Sequence, residues 1–254
     1  MKGWRAMVLF FGIAYAIAWA AWITLFALRL SFLGGVGIGL YLLAVVAPHV
    51  AAVAVTTLES GRVGLRDFYA RVFRAASVRW LVISLVVPFG LYLGSQLLTV
   101  TAQMPHESFF HQPPRTLPML ILGQSAVALG EEPGWRGFAL PRLARAWGPI
   151  TGSLILGLAW SLWHLPLFMI AGTAQYGTPF LPFLTTLTAW SVVVALIMGR
   201  ARRSVLVAML FHASANVCDF TMWQPDAWPL AVGPWIGAAA VAAWLMRRDV
   251  VTWA

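Results

Sequence analysis

Two adjacent carboxylates and an arginine stand in an apolar stretch, here called the acidic motif: Gly130-Glu131-Glu132-Pro133-Gly134-Trp135-Arg136-Gly137. The chain has only eight acidic residues, and two of them lie side by side here. An ionisable residue at the centre of a bilayer costs roughly 3 kcal/mol or more, so such residues are usually functional. We therefore start from the hypothesis that the acidic motif is the catalytic centre of an enzyme buried in a membrane.

Helical spacing separates the two glutamates. Glu132 and Arg136 are four residues apart, so on a helix they face each other as an ion pair. Glu131 is then the carboxylate that is free for chemistry. Pro133 removes one backbone hydrogen bond and predicts a kink at the glutamates, which would be tolerated beside a wet cavity. The alternative interpretation is that Glu132 and Arg136 form only a structural ion pair.

Two later apolar segments carry histidines with the same spacing. Trp160 precedes His164 by four residues, and His212 precedes Asn216 by four, with Asp219 further along the same face. Counted at about 1.5 Å per residue, these groups and the acidic motif reach compatible depths in the cytoplasmic half of a bundle. Two alternatives stay open: His164 as a packed core histidine, and His212 with Asn216 as interhelical hydrogen-bonding residues.

Together these groups suit the hydrolysis of a peptide bond without a covalent nucleophile. A partly desolvated carboxylate is a stronger base and can activate water. One histidine can share that task or protonate the leaving amine, and a second histidine with an asparagine amide can bind the developing oxyanion. The sequence contains no HExxH and no GxSxG motif, so a standard zincin or serine hydrolase is not indicated.

The composition places these residues in a membrane protein. The chain is 61% apolar and 10% charged, with a mean hydropathy of +0.81, whereas soluble domains are about 45–50% apolar and about 25% charged. We predict an all-α polytopic protein with one domain, residues 1–254. Its net charge of +9 is better explained by membrane topology than by nucleic acid binding, so we expect a lipid bilayer and no nucleic acid as partner.

Apolar runs long enough to cross a bilayer predict eight helices, at about 4–28, 35–58, 80–101, 117–138, 150–171, 180–198, 205–223 and 228–246. Residues 59–79 alternate arginines with apolar residues and predict a short amphipathic helix on the membrane surface. With the N-terminus in the cytoplasm, 15 of the 17 basic residues face the cytoplasm, and only Arg29 and Arg115 do not. This predicts a multi-pass bundle of about eight transmembrane helices with both termini cytoplasmic, in the plasma membrane if the source is prokaryotic.

Three short motifs, one on each of three predicted spans, resemble those of the CPBP intramembrane protease family. They are Glu131-Glu132-x-x-x-Arg136, Trp160-x-x-x-His164 and His212-x-x-x-Asn216. This family includes the type II CaaX prenyl endopeptidases and bacterial Abi-type proteins. The second motif of the family often begins with Phe, and for Trp160 we expect the same packing role.

The resemblance implies an intramembrane endopeptidase that cleaves a peptide or lipidated protein, CaaX-type prenylated or other, near the cytoplasmic face. The implied roles are water activation by Glu131 with His164, oxyanion binding by His212 and Asn216, and support from Glu132, Arg136 and Trp160.

No cofactor is firmly expected. Members of the family have been called metalloproteases, and Glu131, His164 and His212 could bind zinc. We favour a metal-free mechanism because adjacent glutamates point about 100° apart on a helix and Arg136 competes for one of them. Two other functions stay open: a proton-coupled small-solute transporter that uses the buried Glu and His as a relay, and a non-catalytic membrane scaffold or immunity protein.

Overall fold

The computed structural model describes residues 3–248, and these form a bundle of helices. In chain order the helices are α1 (Gly3–Ala27), α2 (Gly35–Val72), α3 (Val78–Thr101), α4 (Leu117–Glu132), α5 (Leu140–Trp163), α6 (Phe180–Arg200), α7 (Val205–Thr221) and α8 (Trp228–Arg248). Two 3₁₀ segments, Pro114–Thr116 and Leu165–Met169, and a π-helical segment, Pro133–Ala139, complete the order. The predicted all-α fold is confirmed.

Six helical stretches are long and apolar enough to cross a membrane, and α7 is a shorter apolar helix. One of the six, Pro114–Met169, is 56 residues long and runs through α4 and α5. It bends at Gly148, whose φ of 79° is easily adopted only by glycine, and Gly152 then packs against the backbone of Leu143 and Ala144. The protein is therefore an integral multi-pass membrane protein, whereas eight spans with both termini cytoplasmic stay a prediction.

The segment predicted to lie on the membrane surface is a continuation of α2. The helix breaks at Gly61, with a φ of 57°, and then continues to Val72, so it ends before the predicted boundary at residue 79. Phe68 and Val72 are fully buried and lie beside Gly137 of the π-helical segment. Part of the predicted apolar face thus packs on protein, although Val63 on the same helix is exposed.

Most of the arginines lie at one end of the bundle, here called the arginine-rich end. It is formed by the N-termini of α1, α3 and α7 and by the C-termini of α2, α6 and α8. Arg74 donates to the backbone oxygen of Arg202 at 3.1 Å, and Ser204 Oγ donates to the backbone oxygen of Arg74. An ion pair of 2.9 Å between Arg142 and Glu59 joins α5 to α2.

The opposite end, here called the arginine-poor end, consists of residues 28–34, 102–113, 170–179 and 222–227. Gln96 of α3, which is fully buried, holds two of these loops together. Its amide nitrogen donates to the backbone oxygens of Phe109 and Trp223, at 2.8 and 2.9 Å. The loop after α3 is therefore tethered to the bundle at Phe109, although nearly all of its residues are exposed, as expected for a surface loop.

Candidate active site

The acidic motif lies on a continuous helix. Pro133 does not break it; the helix instead becomes π-helical over Pro133–Ala139. A proline has no N–H to donate to the carbonyl four residues earlier, which here is Leu129. The ring of His49, on α2, interacts with that carbonyl, and its Nε2 lies 3.1 Å from the hydroxyl oxygen of Tyr69. At the position of the predicted kink the helix thus takes a wider, π-helical turn, a feature frequent at functional sites.

This part of the helix is packed closely against α2. A Cβ on Gly134 would overlap the backbone carbonyl of Pro48, so the two backbones touch at this point. Small residues allow such close approach between helices in a membrane. Glu131, Glu132 and Arg136 are each at most 3% exposed, and the acidic motif is therefore enclosed by protein.

Glu132 is the anchor of a buried polar network. Arg136 Nη1 donates to Glu132 Oε1 at 2.9 Å, which forms the predicted ion pair. His212 Nδ1 donates to the same oxygen at 2.8 Å, and Arg136 Nη2 donates to Ser191 Oγ at 3.1 Å. The bond to His212 was not predicted, because it joins α4 to α7. It orients the imidazole and leaves Nε2 as its available nitrogen.

Glu131 is held separately, by Trp160. The indole Nε1 of Trp160 donates to Glu131 Oε2 at 2.8 Å. The ring of the same tryptophan lies 4.1 Å from the guanidinium carbon of Arg136, a cation–π contact. Trp160 therefore packs against the site as expected and, in addition, donates a hydrogen bond to it. The hydrogen bond from Trp160 occupies Oε2 of Glu131 and leaves Oε1 for a water molecule.

His164 follows directly after the last residue of α5. Its Nδ1 donates to the backbone oxygen of Trp160 at 2.8 Å, which makes Nδ1 the protonated nitrogen and leaves Nε2 as an acceptor. The ring packs against Trp163 and Phe183, with centroids 4.8 and 5.3 Å away. His164 is thus both a packed histidine and one with a nitrogen available for chemistry.

Asn216 has a partner that the sequence analysis missed. Its Nδ2 donates to Gln124 Oε1 at 2.8 Å. Gln124 lies on α4, seven residues before Glu131, and this spacing puts the two on one face of the helix. That spacing was the only signal in the sequence that could have identified it.

A cavity of about 870 Å³ joins these groups. All four residues predicted to be catalytic line it: Glu131, His164, His212 and Asn216. Gln124 and Trp160 line it too, whereas Glu132 and Arg136 lie behind the wall. The structure therefore places Glu131 on the cavity wall and Glu132 behind it, as their spacing predicts. The volume of the cavity is in the range of ligand-binding cavities, about 300–1,000 Å³.

The side chains considered as zinc ligands do not form a metal site as they stand. Within residues 3–248, no three His, Cys, Asp or Glu side chains are placed to hold one ion together. Glu131, His164 and His212 line one cavity, but they do not converge on one point.

Comparisons with known proteins agree with this geometry. A family model described as "Type II CAAX prenyl endopeptidase Rce1-like" matches residues 113–218, a range that begins just before α4 and ends within α7. A protein of Methanococcus maripaludis named CAAX prenyl protease 2 is 24% identical over 226 residues, which covers 82% of each chain. Over the part of the chain that carries the site, the protein is thus similar to type II CAAX endopeptidases, and both matches support a CAAX-type intramembrane protease.

Proposed function

We propose that this protease cleaves a membrane-associated protein with a water molecule activated by Glu131. The observation that carries the proposal is the bond from the Trp160 indole to Glu131 Oε2. It orients a buried carboxylate toward a cavity that His164, His212 and Asn216 also line. A scaffold protein would not need these four polar groups on one cavity wall.

In the proposed reaction, Glu131 removes a proton from water while the water oxygen bonds to the scissile carbonyl carbon. The resulting oxyanion accepts hydrogen bonds from the Asn216 amide and from His212 Nε2 when that ring carries both protons. Glu132 at Nδ1 of His212 is placed to balance the imidazolium charge. The C–N bond then breaks, and the proton passes to the leaving amine from Glu131 or through His164 Nε2. Such general acid–base steps contribute about 10²- to 10⁴-fold each.

The substrate we propose is a protein anchored in the membrane, whether by prenylation or by its own apolar segment. Aromatic side chains line much of the cavity, including Trp22, Tyr41 and Trp235, and they suit an apolar chain. Glu131 lies about 20 Å along α4 from Leu117, at 1.5 Å per residue, so the cleaved bond lies nearer the arginine-rich end. In a prokaryote, the enzyme would reside in the plasma membrane.

Replacing Glu131 with Gln tests the proposal. Glutamine keeps the shape of the side chain but cannot take a proton, so we expect kcat to fall about 10²- to 10⁴-fold. Cleavage of a membrane-anchored reporter by purified protein measures the effect. Glu107→Gln, which alters an exposed carboxylate outside the cavity, is the control and should cleave normally. Near-normal cleavage by Glu131→Gln would overturn the mechanism.

We also propose that the hydrolysis needs no metal. The support is that an indole N–H occupies Glu131 Oε2 and that, within residues 3–248, no three His, Cys, Asp or Glu side chains are placed to hold one ion. The measurement is metal analysis of the purified protein, together with cleavage after prolonged treatment with a strong chelator. We expect unchanged activity. A loss that added zinc restores would replace this mechanism with a metal-dependent one.

A further inference from the structure

We propose that Asp219 belongs to a cation-binding subsite that selects substrates with a lysine or arginine side chain two or three residues from the scissile bond. The subsite is formed by Asp219 on α7, Tyr92 on α3 and Trp235 on α8, and all three line the cavity. The proposal rests on the proposed function of the cavity, because the bound cation is part of the substrate.

Asp219 lies one to two helical turns from the groups that bind the oxyanion. It follows His212 by seven residues, so both lie on one face of α7, about 10 Å apart along the helix axis. Asn216 lies between them, about 5 Å from Asp219 on the same scale. The subsite is therefore a neighbour of the catalytic groups and not a part of them.

The carboxylate of Asp219 is positioned by one hydrogen bond and has no counter-ion. Tyr92 Oη donates to its Oδ1 at 3.2 Å, whereas Oδ2 accepts no hydrogen bond within residues 3–248. No arginine or histidine in this range forms an ion pair with Asp219. His111 acts on its charge, but the histidine is exposed and lies outside the cavity wall. The second oxygen is thus available to a ligand.

Two aromatic rings complete the subsite. The rings of Tyr92 and Trp235 are nearly perpendicular, at 83°, with centroids 5.6 Å apart. Aromatic faces attract ammonium and guanidinium groups, and proteins use aromatic cages to recognise organic cations. Trp190 continues this wall, with centroids 6.0 Å from Trp235 and 5.4 Å from the ring of His212. A continuous aromatic surface therefore joins the subsite to the catalytic groups.

The ligand that fits is a basic side chain of the substrate. A carboxylate removed from water needs a paired cation, and the described part of the cavity wall supplies no lysine or arginine. An extended chain advances about 3.3 Å per residue, so the distance from the oxyanion groups to Asp219 corresponds to two or three residues. Trp22 and Tyr41, on α1 and α2, remain for the apolar anchor of the substrate.

A second carboxylate lies at the mouth of the cavity and acts differently. Loop residues, among them Leu33, Gln175 and Asp226, form the rim of this mouth. Asp226 is exposed, so it attracts basic substrates wherever their lysines stand, and salt screens this attraction. Asp219 instead binds one side chain in one place. The dependence on position therefore separates the two effects.

A lysine scan of the substrate tests the subsite. A membrane-anchored reporter carries a single lysine at each position in turn, on both sides of the scissile bond. Its matched reporter carries norleucine, which has a similar length but no charge. We expect lysine to raise kcat/KM about tenfold at one position, two or three residues from the bond, mainly through KM, because the hydrogen bond is made to a charged group.

Variants then assign this peak to Asp219. In Asp219→Asn, the ratio of kcat/KM for the lysine and norleucine reporters should fall close to one at that position, and Asp219→Glu should retain part of the preference. Asp226→Asn is the matched control, and it should lower the ratio slightly at every position but leave the peak. Each value compares two reporters on the same protein, so a general loss of activity does not affect it.

Three results would overturn the proposal. One is a scan without a peak on the unchanged protein, which requires no variant to fold. The second is a peak that Asp219→Asn leaves intact. The third is an equal loss for all reporters in Asp219→Asn, which would show that the carboxylate serves something other than a substrate cation.

Binding provides a measurement that does not depend on catalysis. The same reporter pairs are titrated against the Glu131→Gln variant, and fluorescence anisotropy gives Kd. We expect the same peak in the ratio of Kd values, and equal Kd values at every position would contradict the subsite. This result stands apart from the Glu131→Gln cleavage test of the proposed function.

Discussion

At the scale of single residues, Trp160 connects more of the site than any carboxylate does. Its indole N–H binds Glu131, its backbone oxygen accepts from His164, and its ring lies beside Arg136 and 5.3 Å from the ring of His212. Phenylalanine, which often stands at this position in the family that the motifs resemble, would keep the ring contacts but not the hydrogen bond. In this chain the indole N–H is therefore an additional group that positions the base.

Trp160→Phe tests that role. A hydrogen bond to a charged group contributes about 1.5–3 kcal/mol, so we expect kcat to fall roughly 10- to 100-fold, at about 1.4 kcal/mol per tenfold. KM should change little, because the cavity keeps an aromatic wall. The measurement is steady-state cleavage of a reporter peptide across a range of pH, since an altered environment of the base also moves the pH profile.

The matched control for this change is Trp135→Phe. Trp135 is fully buried nearby, lies outside the cavity wall, and has an indole nitrogen without a hydrogen-bond partner among the described residues. The Trp135→Phe variant therefore loses a similar ring area but no hydrogen bond. An equal loss of kcat in both variants would show that the effect of Trp160→Phe comes from packing alone.

Spacing predicted which residues face the cavity, but not all of their partners. The i, i+4 pairs are set by helix geometry, so the ion pair of Glu132 with Arg136 could be predicted from the sequence. The bonds from His212 to Glu132 and from Asn216 to Gln124 join α7 to α4. Such contacts depend on how two helices rotate against each other, which one sequence does not show.

At the scale of elements, the π-helical segment explains how the acidic motif keeps a proline in a buried helix. A local rule predicts a kink at Pro133. The observed π-helical turn depends on contacts with α2. The His49 ring of α2 interacts with the carbonyl of Leu129, and the α2 backbone packs against Gly134. The helix itself was therefore predictable from apolar length, but its conformation at the glutamates depends on long-range contacts.

Gly134→Ala tests the contact between these two helices. The added methyl group would overlap the backbone of Pro48, and overpacking of this kind typically costs about 1–3 kcal/mol. We expect a lower temperature of unfolding in detergent, and reduced cleavage where the variant folds, because the adjoining glutamates would shift. Gly237→Ala on α8, where a Cβ meets nothing within 4 Å, is the control and should be neutral or slightly stabilising. Equal melting temperatures for the two variants would contradict the tight contact.

At the scale of the whole molecule, the chain is basic, whereas carboxyl-bearing residues gather at the cavity. The chain carries a net charge of +9, but the cavity wall includes Glu131, Asp219 and Asp226 and, among the described residues, no lysine or arginine. Apolar length and charge alternation predicted the membrane class and the basic end. They could not predict an acidic mouth, because its residues come from separate segments.

This opposition predicts the charge preference of the enzyme. Asp226 is exposed at the rim, and an exposed ion pair contributes up to about 1 kcal/mol. We therefore expect a reporter with lysines beside the scissile bond to be cleaved about fivefold faster than one with aspartates, and less so at high salt. Asp226→Asn should reduce the preference, and Glu107→Gln, at the same end outside the cavity, should not. If the net charge of the protein governed the encounter, the reporter with aspartates would be cleaved faster. The sign of the preference therefore distinguishes the electric field at the cavity mouth from the field of the whole molecule.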